Sequence, residues 1–162
     1  MKKTDYLIIM HTGTAEGVEI TKNDIIEQHT QSRALGGLNF NRPGIDYLIP
    51  LDGQFINILP ENSPNEVDLW GISDGADGFM GSARFIGLAG GMDKEGVHPK
   101  NTLTDKQKET LANVVPFFVY RFPTIQVVGY DQIPAKKEEQ NPGFDVTALL
   151  KEIGIPDTNI FQ

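Results

Sequence analysis

Short apolar segments, each followed by a turn or a capped helix, constrain the fold of this chain more than any other feature of its sequence. Runs rich in β-branched and aliphatic residues at Tyr6–Met10, Arg84–Ala89 and Ile125–Tyr130 predict buried strands. Two further strands are predicted at Tyr47–Ile49 and Phe55–Ile58, because the Asp-Gly pair between them is typical of a tight hairpin. The chain is therefore expected to contain a sheet that includes a hairpin.

Capping sequences predict three helices. Thr-x-x-Asp at residues 21–24 and Thr-x-x-Gln at residues 104–107 both have the spacing of a capping box, which marks a helix start. The first helix is expected to end near the glycine pair at 36–37. Pro116 is expected to bend or split the second helix, because proline lacks the amide donor of a helix interior. Asp145 is expected to cap the third helix.

The mixture of strands and helices predicts an α+β fold, in which a mixed β-sheet is flanked by helices. The chain has 162 residues, an ordinary length for one domain with a core of its own. No repeat or linker interrupts the pattern. A single domain over residues 1–162 is therefore expected.

The composition excludes several classes of function. A net charge of −8 disfavours nonspecific binding to nucleic acid or to an acidic membrane surface. The absence of cysteine excludes disulfides and thiolate metal sites. The apolar run near the N-terminus is too short for a signal peptide, so the expected location is the cytoplasm of a host cell or a virion.

The three histidines do not form a local metal site. His11 follows the first strand, His29 lies among isoleucines on the first helix, and His98 lies in a polar loop. No two of them have the i, i+4 spacing of zinc ligands on one helix. His29 is expected to pack in the core and His98 to be exposed.

Residues 60–83 are rich in Pro, Asn, Asp and Gly, which predicts a long surface loop of the kind that often carries function. The acidic residues at 74–78 suggest calcium, but the loop lacks the remaining ligands of an EF-hand. A flexible polar loop is the preferred interpretation.

The order of landmarks along the chain resembles the zinc-dependent N-acetylmuramoyl-L-alanine amidases of the phage-lysozyme and peptidoglycan-recognition-protein type. The first strand and its turn, IIMHTGT at residues 8–14, match the family pattern I-V-H-C-T-A-T. FIGLAGG at 85–91 resembles its S-I-G-V-x-x-x-G-G strand, and VVGYDQI at 127–133 resembles V-V-G-H-R-D-L. NPGFDV at 141–146 resembles the family's C-P-x-F-D ending. The likeness extends from about Tyr6 to Leu150.

The resemblance also implies which residues occupy the catalytic positions. The family binds zinc through a His on the first strand, a His after the V-V-G strand and a Cys before Pro. The corresponding positions here are His11, Tyr130 and Asn141. The family's Tyr beside the metal falls on Ile45, and its Lys or Thr before the Cys falls on Glu139.

These replacements remove the chemistry that the family needs. A Tyr phenol has an ordinary pKa near 10, so a phenolate ligand at neutral pH is costly, and a neutral Asn amide is a poor zinc ligand. One His cannot hold the metal alone, and without zinc no bound water is activated. We therefore expect no catalytic residue, no metal and no cofactor.

The resulting hypothesis is a catalytically inactive, amidase-like binding protein of phage or prophage origin, such as a component of the virion. Its partner would be a protein or a cell-wall peptide. The alternative is an active amidase with zinc held beside His11 by a rebuilt site that includes Asp46, Asp131 or Glu139. A third reading is a purely structural subunit in which the groove is filled.

The expected binding surface follows from the family's substrate groove. The loop that lines this groove contains Trp70, Phe79 and Met80, and aromatic side chains are common anchors of interfaces. Phe79 and Met80 are predicted to contact a protein partner. Packing of Trp70 beneath its own loop is an equal alternative to exposure.

Overall fold

A computed structural model describes residues 4–40, 43–59, 67–68, 82–133 and 140–162. Its main feature is a mixed β-sheet with helices on both faces, as the sequence predicts. The strands are β1 (Tyr6–His11), β2 (Thr14–Ala15), β3 (Tyr47–Ile49), β4 (Ile56–Asn57), β5 (Val67–Asp68), β6 (Ser82–Leu88), β7 (Gly91–Met92) and β8 (Gln126–Gly129). The helices are α1 (Lys22–Thr30), α2 (Asp105–Arg121) and α3 (Val146–Glu152).

The order in the main sheet is β4-β3-β6-β1-β8. Strand β1 is parallel to both β6 and β8, and β3 is parallel to β6. The predicted hairpin is confirmed, because β3 and β4 pair antiparallel. The turn between them includes Gly53, whose φ of +83° lies in the region that favours glycine. A small second sheet pairs β2 with β7.

Alternate residues of each strand point to opposite faces of the sheet, and each face has its own apolar core. One core packs Leu7 and Ile9 of β1 against α2 and α3. The other packs Ile8 of β1 and Val128 of β8 against Ile25 of α1. Helix α1 therefore lies across the sheet from the other two helices.

Both predicted capping boxes are present. The Thr21 side chain accepts a hydrogen bond from the Asp24 amide, and the Thr104 side chain accepts one from the Gln107 amide. The first helix is shorter than predicted and ends at Thr30, because the next residue adopts an extended backbone. A short 3₁₀ turn then occupies the segment before the glycine pair.

The second helix runs through Pro116 without a split, so of the two expected outcomes, a bend or a split, the split is wrong. Val115 and Phe118 flank the proline, and both are buried in the core beneath α2. Packing on either side of Pro116 therefore holds the helix together. The third helix begins as predicted, with the Asp145 carboxylate accepting a hydrogen bond from the Ala148 amide.

The predicted long loop at 60–83 is wrong at four residues, which belong to strands β5 and β6. Val67–Asp68 pairs antiparallel with residues 82–83 at the start of β6. The remaining residues of this segment lie outside the part of the chain that the structure describes. Among the described residues, no helix is both long and apolar enough to cross a lipid bilayer.

Candidate functional site

Three positions that the sequence places far apart line one cavity. His11 ends β1, Tyr130 follows β8, and Asn141 precedes α3, yet all three border a cavity of about 200 Å³. Strands β1 and β8 are parallel, so their carboxyl ends meet at the same edge of the sheet. The sheet topology therefore assembles the positions that the resemblance aligns with zinc ligands.

Asn141 fixes this edge of the sheet. The Thr12 amide bonds to the Leu88 carbonyl on the β6 side, so the preceding amide, that of His11, points toward β8. Strand β8 has already ended at Gly129, and the Asn141 side chain supplies the acceptor instead, with its Oδ1 2.7 Å from the His11 nitrogen. The Asn141 carbonyl accepts a second bond, 2.8 Å long, from the Asp131 amide.

The His11 imidazole is held by backbone groups through both ring nitrogens. The Gly13 amide donates to Nδ1 over 2.9 Å, so Nδ1 carries no proton. Nε2 is then the protonated nitrogen, and it donates to the Gln140 carbonyl over 3.0 Å. The ring also lies against Gly91, where an added Cβ would be 2.2 Å from the ring carbon Cγ. The neighbouring backbone thus fixes the orientation of the imidazole.

Tyr130 and Ile45, two further positions from the resemblance, have different environments. Tyr130 begins a 3₁₀ turn, is 8% exposed and lines the cavity. Ile45 is 1% exposed and packs against Gly87, where an added Cβ would be 2.6 Å from the Ile45 Cδ1. The side chain at this position therefore belongs to the core.

The cavity is lined by polar and by apolar residues, which we call its polar wall and its apolar wall. Thr12, Gln28 and Asn141 supply polar groups, while Leu38 and Phe40 supply apolar surface. Leu38 is 42% exposed although it lines the cavity. Such a combination suits a ligand that carries both amide groups and small apolar groups.

His29 supports the apolar wall. Its Nδ1 accepts a hydrogen bond from the Gly44 amide, and its ring makes an edge contact with Phe40. Burial lowers the pKa of His29, so the neutral form is favoured. His29 is thus a core residue and His98 is exposed, as the sequence predicts.

The described residues at these three positions do not fit a zinc ion. A catalytic zinc site needs three imidazole, thiolate or carboxylate ligands, and of these three positions only His11 offers one, while the neutral Asn141 Oδ1 accepts the His11 amide. Tyr130 offers only a phenol. Within the described ranges, no group of three His, Asp or Glu side chains has an arrangement that could hold a metal ion.

Asp46 and Asp131, two carboxylates of the rebuilt-site alternative, are not among the described residues that line this cavity. Asp46 is fully buried, with one oxygen 3.3 Å from an Arg84 nitrogen and the other accepting the Phe85 amide. This carboxylate is needed to neutralise a buried guanidinium, and removing one partner of such a pair is strongly destabilising. Asp46 is therefore a structural residue.

Asp131 borders a second cavity, of about 580 Å³, together with Asp145 and Phe144. Burial raises the pKa of Asp131, and the charge of Asp145 raises it further. The remaining residue of the rebuilt-site alternative, Glu139, lies outside the described residues. The same holds for the predicted binding residues Trp70, Phe79 and Met80, and for the acidic segment at 74–78.

Sequence reasoning missed three features of this cavity. The Gln140 carbonyl and the Gly13 amide fix the His11 ring through bonds between backbone and side chain, which leave no signature in the residue pattern. The apolar wall at Leu38 and Phe40 did leave a signal, because two apolar residues follow a glycine pair in a segment without a predicted strand.

Comparison with solved structures finds the same fold in peptidoglycan-related proteins. An endolysin of bacteriophage Ph2119 from Thermus scotoductus MAT2119 is 18% identical, with a TM-score of 0.63 over 95% of this chain and 86% of that chain. The N-acetylmuramoyl-L-alanine amidase LysC from Clostridium intestinale is 16% identical, with a TM-score of 0.63 over 95% of this chain and 87% of that chain.

A third similar structure contains a ligand. It is a complex of tracheal cytotoxin with the ectodomains of peptidoglycan recognition proteins LCa and LCx, 16% identical, with a TM-score of 0.58 over 98% of this chain and 84% of that chain. No protein-family model and no curated protein sequence matches the chain. At these identities the likeness establishes a shared fold.

Proposed function

We propose that this protein binds a muramyl peptide of peptidoglycan in the cavity at the end of β1, without metal and without hydrolysing it. One observation carries the proposal. The positions His11, Tyr130 and Asn141 border one cavity, but only His11 carries a side chain that zinc favours, and Asn141 is hydrogen-bonded to the His11 amide. The proposal includes a phage or prophage source, since one similar structure is a phage endolysin.

The chemistry of the cavity supports a peptide ligand. A muramyl peptide presents several amide groups together with the methyl groups of its lactyl and alanine units. The polar wall at Thr12, Gln28 and Asn141 can exchange hydrogen bonds with the amides, and Leu38 and Phe40 can cover the methyl groups. Two of the structures with this fold are named for a peptidoglycan amidase and for peptidoglycan recognition proteins.

The direct test pairs a binding assay with a hydrolysis assay. The probe is a soluble muramyl tripeptide that carries L-alanine, D-isoglutamine and L-lysine. Calorimetry with the purified protein is expected to show saturable binding, unchanged by a chelator. Mass spectrometry of the same mixture is expected to show no free tripeptide. Release of the peptide, lost in His11→Ala, would instead establish the amidase with a rebuilt site.

A gain-of-metal variant tests why the metal is absent. Tyr130→His together with Asn141→Cys places imidazole and thiolate donors at two positions of the cavity that contains His11. Added zinc is expected to raise the melting temperature of this double variant and not that of the wild type. A ligand at one hundred times its Kd stabilises by about 2.7 kcal/mol, which a thermal scan resolves. Stoichiometric zinc in the wild-type protein would contradict the proposal.

The geometry does not favour the competing readings. An active amidase built on Asp46 would have to remove the carboxylate that neutralises buried Arg84. A protein partner was predicted to contact Phe79 and Met80, which, like Trp70, lie outside the described residues. A filled groove would make the muramyl peptide fail to bind, so the same calorimetry tests that reading.

A further inference from the structure

The hydrogen bond between the His11 amide and Asn141 determines how the Asn141 side chain is oriented. A backbone amide can only donate, so the atom 2.7 Å from it must be the side-chain oxygen. The other end of the carboxamide, the Nδ2 group with its two hydrogens, must then point away from β1. This assignment rests on the donor's identity alone.

The Nδ2 group has no acceptor among the described residues. The bonds of Asn141 are those from the His11 amide to Oδ1 and from the Asp131 amide to the main-chain carbonyl. The residue is only 7% exposed, yet Nδ2 is not among the buried atoms that lack a partner. Since Asn141 lines the cavity, the cavity is the surface that Nδ2 faces.

We infer that Asn141 is a ligand-binding residue whose Nδ2 group donates a hydrogen bond to an amide carbonyl oxygen of the bound peptide. This inference rests on the proposed function and names the contact that recognises the ligand. A neutral NH₂ group pairs with a carbonyl oxygen without the desolvation cost of a full charge. The residue at the family's Cys position thus takes a new role in this chain.

The surroundings of Asn141 favour this use. The two bonds to Oδ1 and to the main-chain carbonyl hold the residue between β1 and the turn after β8, so the donor is already oriented before a ligand binds. A pre-oriented donor loses little conformational entropy on binding. The His11 ring also borders the cavity and is itself fixed by Gly13 and Gln140. Neither the Asn141 side chain nor the His11 ring therefore needs to rearrange when a ligand binds.

The test uses the variant Asn141→Asp. A carboxylate oxygen can still accept from the His11 amide, but the side chain no longer donates, and it repels a carbonyl oxygen. Affinity for the muramyl tripeptide is expected to fall about tenfold or more, because a buried acceptor of the ligand is left unsatisfied. The matched control is Asn113→Asp, which adds the same charge at an exposed position of α2 and is expected to bind like the wild type.

A second measurement uses the wild-type protein and does not depend on whether a variant folds. In the wild-type protein, the side-chain NH₂ resonance of Asn141 in a ¹H–¹⁵N spectrum is expected to shift when the probe is added, while the resonances of Asn113 stay in place. A purely structural Asn141 would not respond in this way. An unshifted resonance at saturation, or an Asn141→Asp affinity within about twofold of the wild type, overturns the inference and leaves the proposed function standing. A wild-type protein that does not bind the probe overturns both.

Discussion

The apolar face beneath α2 and the edge of the sheet beside His11 are built by different kinds of interaction. Beneath α2, close-packed side chains such as Leu111 and Val115 have no exposed surface and need no polar partner. At the edge, backbone amides and carbonyls hold the His11 ring, and a side-chain amide replaces a missing strand. The first region stabilises the fold, while the second determines the shape of the cavity.

This difference explains how much of the molecule the sequence predicts. The strands and the capping boxes depend on residues within a few positions of one another, so periodicity and cap chemistry identify them. The bond from His11 to Asn141 joins residues 130 positions apart, and no local rule encodes it. The resemblance brought these two residues together as degenerate zinc positions, but it could not show that one bonds the other.

The end of the first helix and the continuity of the second show the same limit. Local rules placed the end of α1 at the glycine pair, but a 3₁₀ turn comes first. Pro116 was expected to bend or split α2, but the helix is not split, and Val115 and Phe118 on either side of the proline are both packed in the core. Tertiary packing outweighs local propensity in this element.

The largest effect is expected from a substitution that disrupts the packing beneath α2 and does not touch the cavity. Leu111→Ala removes a fully buried side chain beneath α2 and is expected to cost about 3 kcal/mol of unfolding free energy. Urea denaturation measures this cost. At a temperature where the variant is folded, its affinity for the muramyl tripeptide is expected to match that of the wild type.

Leu35→Ala is the matched control, because this leucine is 72% exposed and its loss is expected to change stability by less than about 0.5 kcal/mol. Weakened tripeptide binding by folded Leu111→Ala would show that the two regions are coupled.

An intermediate effect is expected where a backbone position supports the cavity. Gly91→Ala adds a Cβ that would lie 2.2 Å from the His11 ring, at a φ of +104°. The clash with the ring and the strained backbone of alanine at this φ are together expected to lower the free energy of unfolding by about 2 kcal/mol. The displaced ring is expected to weaken tripeptide binding as well. This variant should therefore lose both stability and affinity, unlike Leu111→Ala.

Gly17→Ala isolates the backbone penalty of that variant. Gly17 has a φ of +78°, but no atom lies within 4 Å of its added Cβ. We expect it to lose some stability and to keep its affinity. Equal affinity losses in Gly91→Ala and Gly17→Ala would mean that contact with the His11 ring is irrelevant to binding.

The smallest expected effect concerns His29, which is buried and yet contacts the apolar wall of the cavity. Burial lowers its pKa in the folded protein below the ordinary value of 6.5, so the unfolded chain binds the proton more readily. Stability is therefore fully present above pH 6.5 and falls as the pH decreases through the lowered folded pKa. Protonation also places a hydrogen on Nδ1, which then cannot accept from the Gly44 amide.

The measurement compares melting temperatures at about pH 7.5 and about pH 5.5. The difference between the two is expected to be smaller in His29→Gln than in the wild type, while His98→Gln, at an exposed position, keeps the wild-type difference. If the pH dependence of His29→Gln equals that of the wild type, another group is responsible for it.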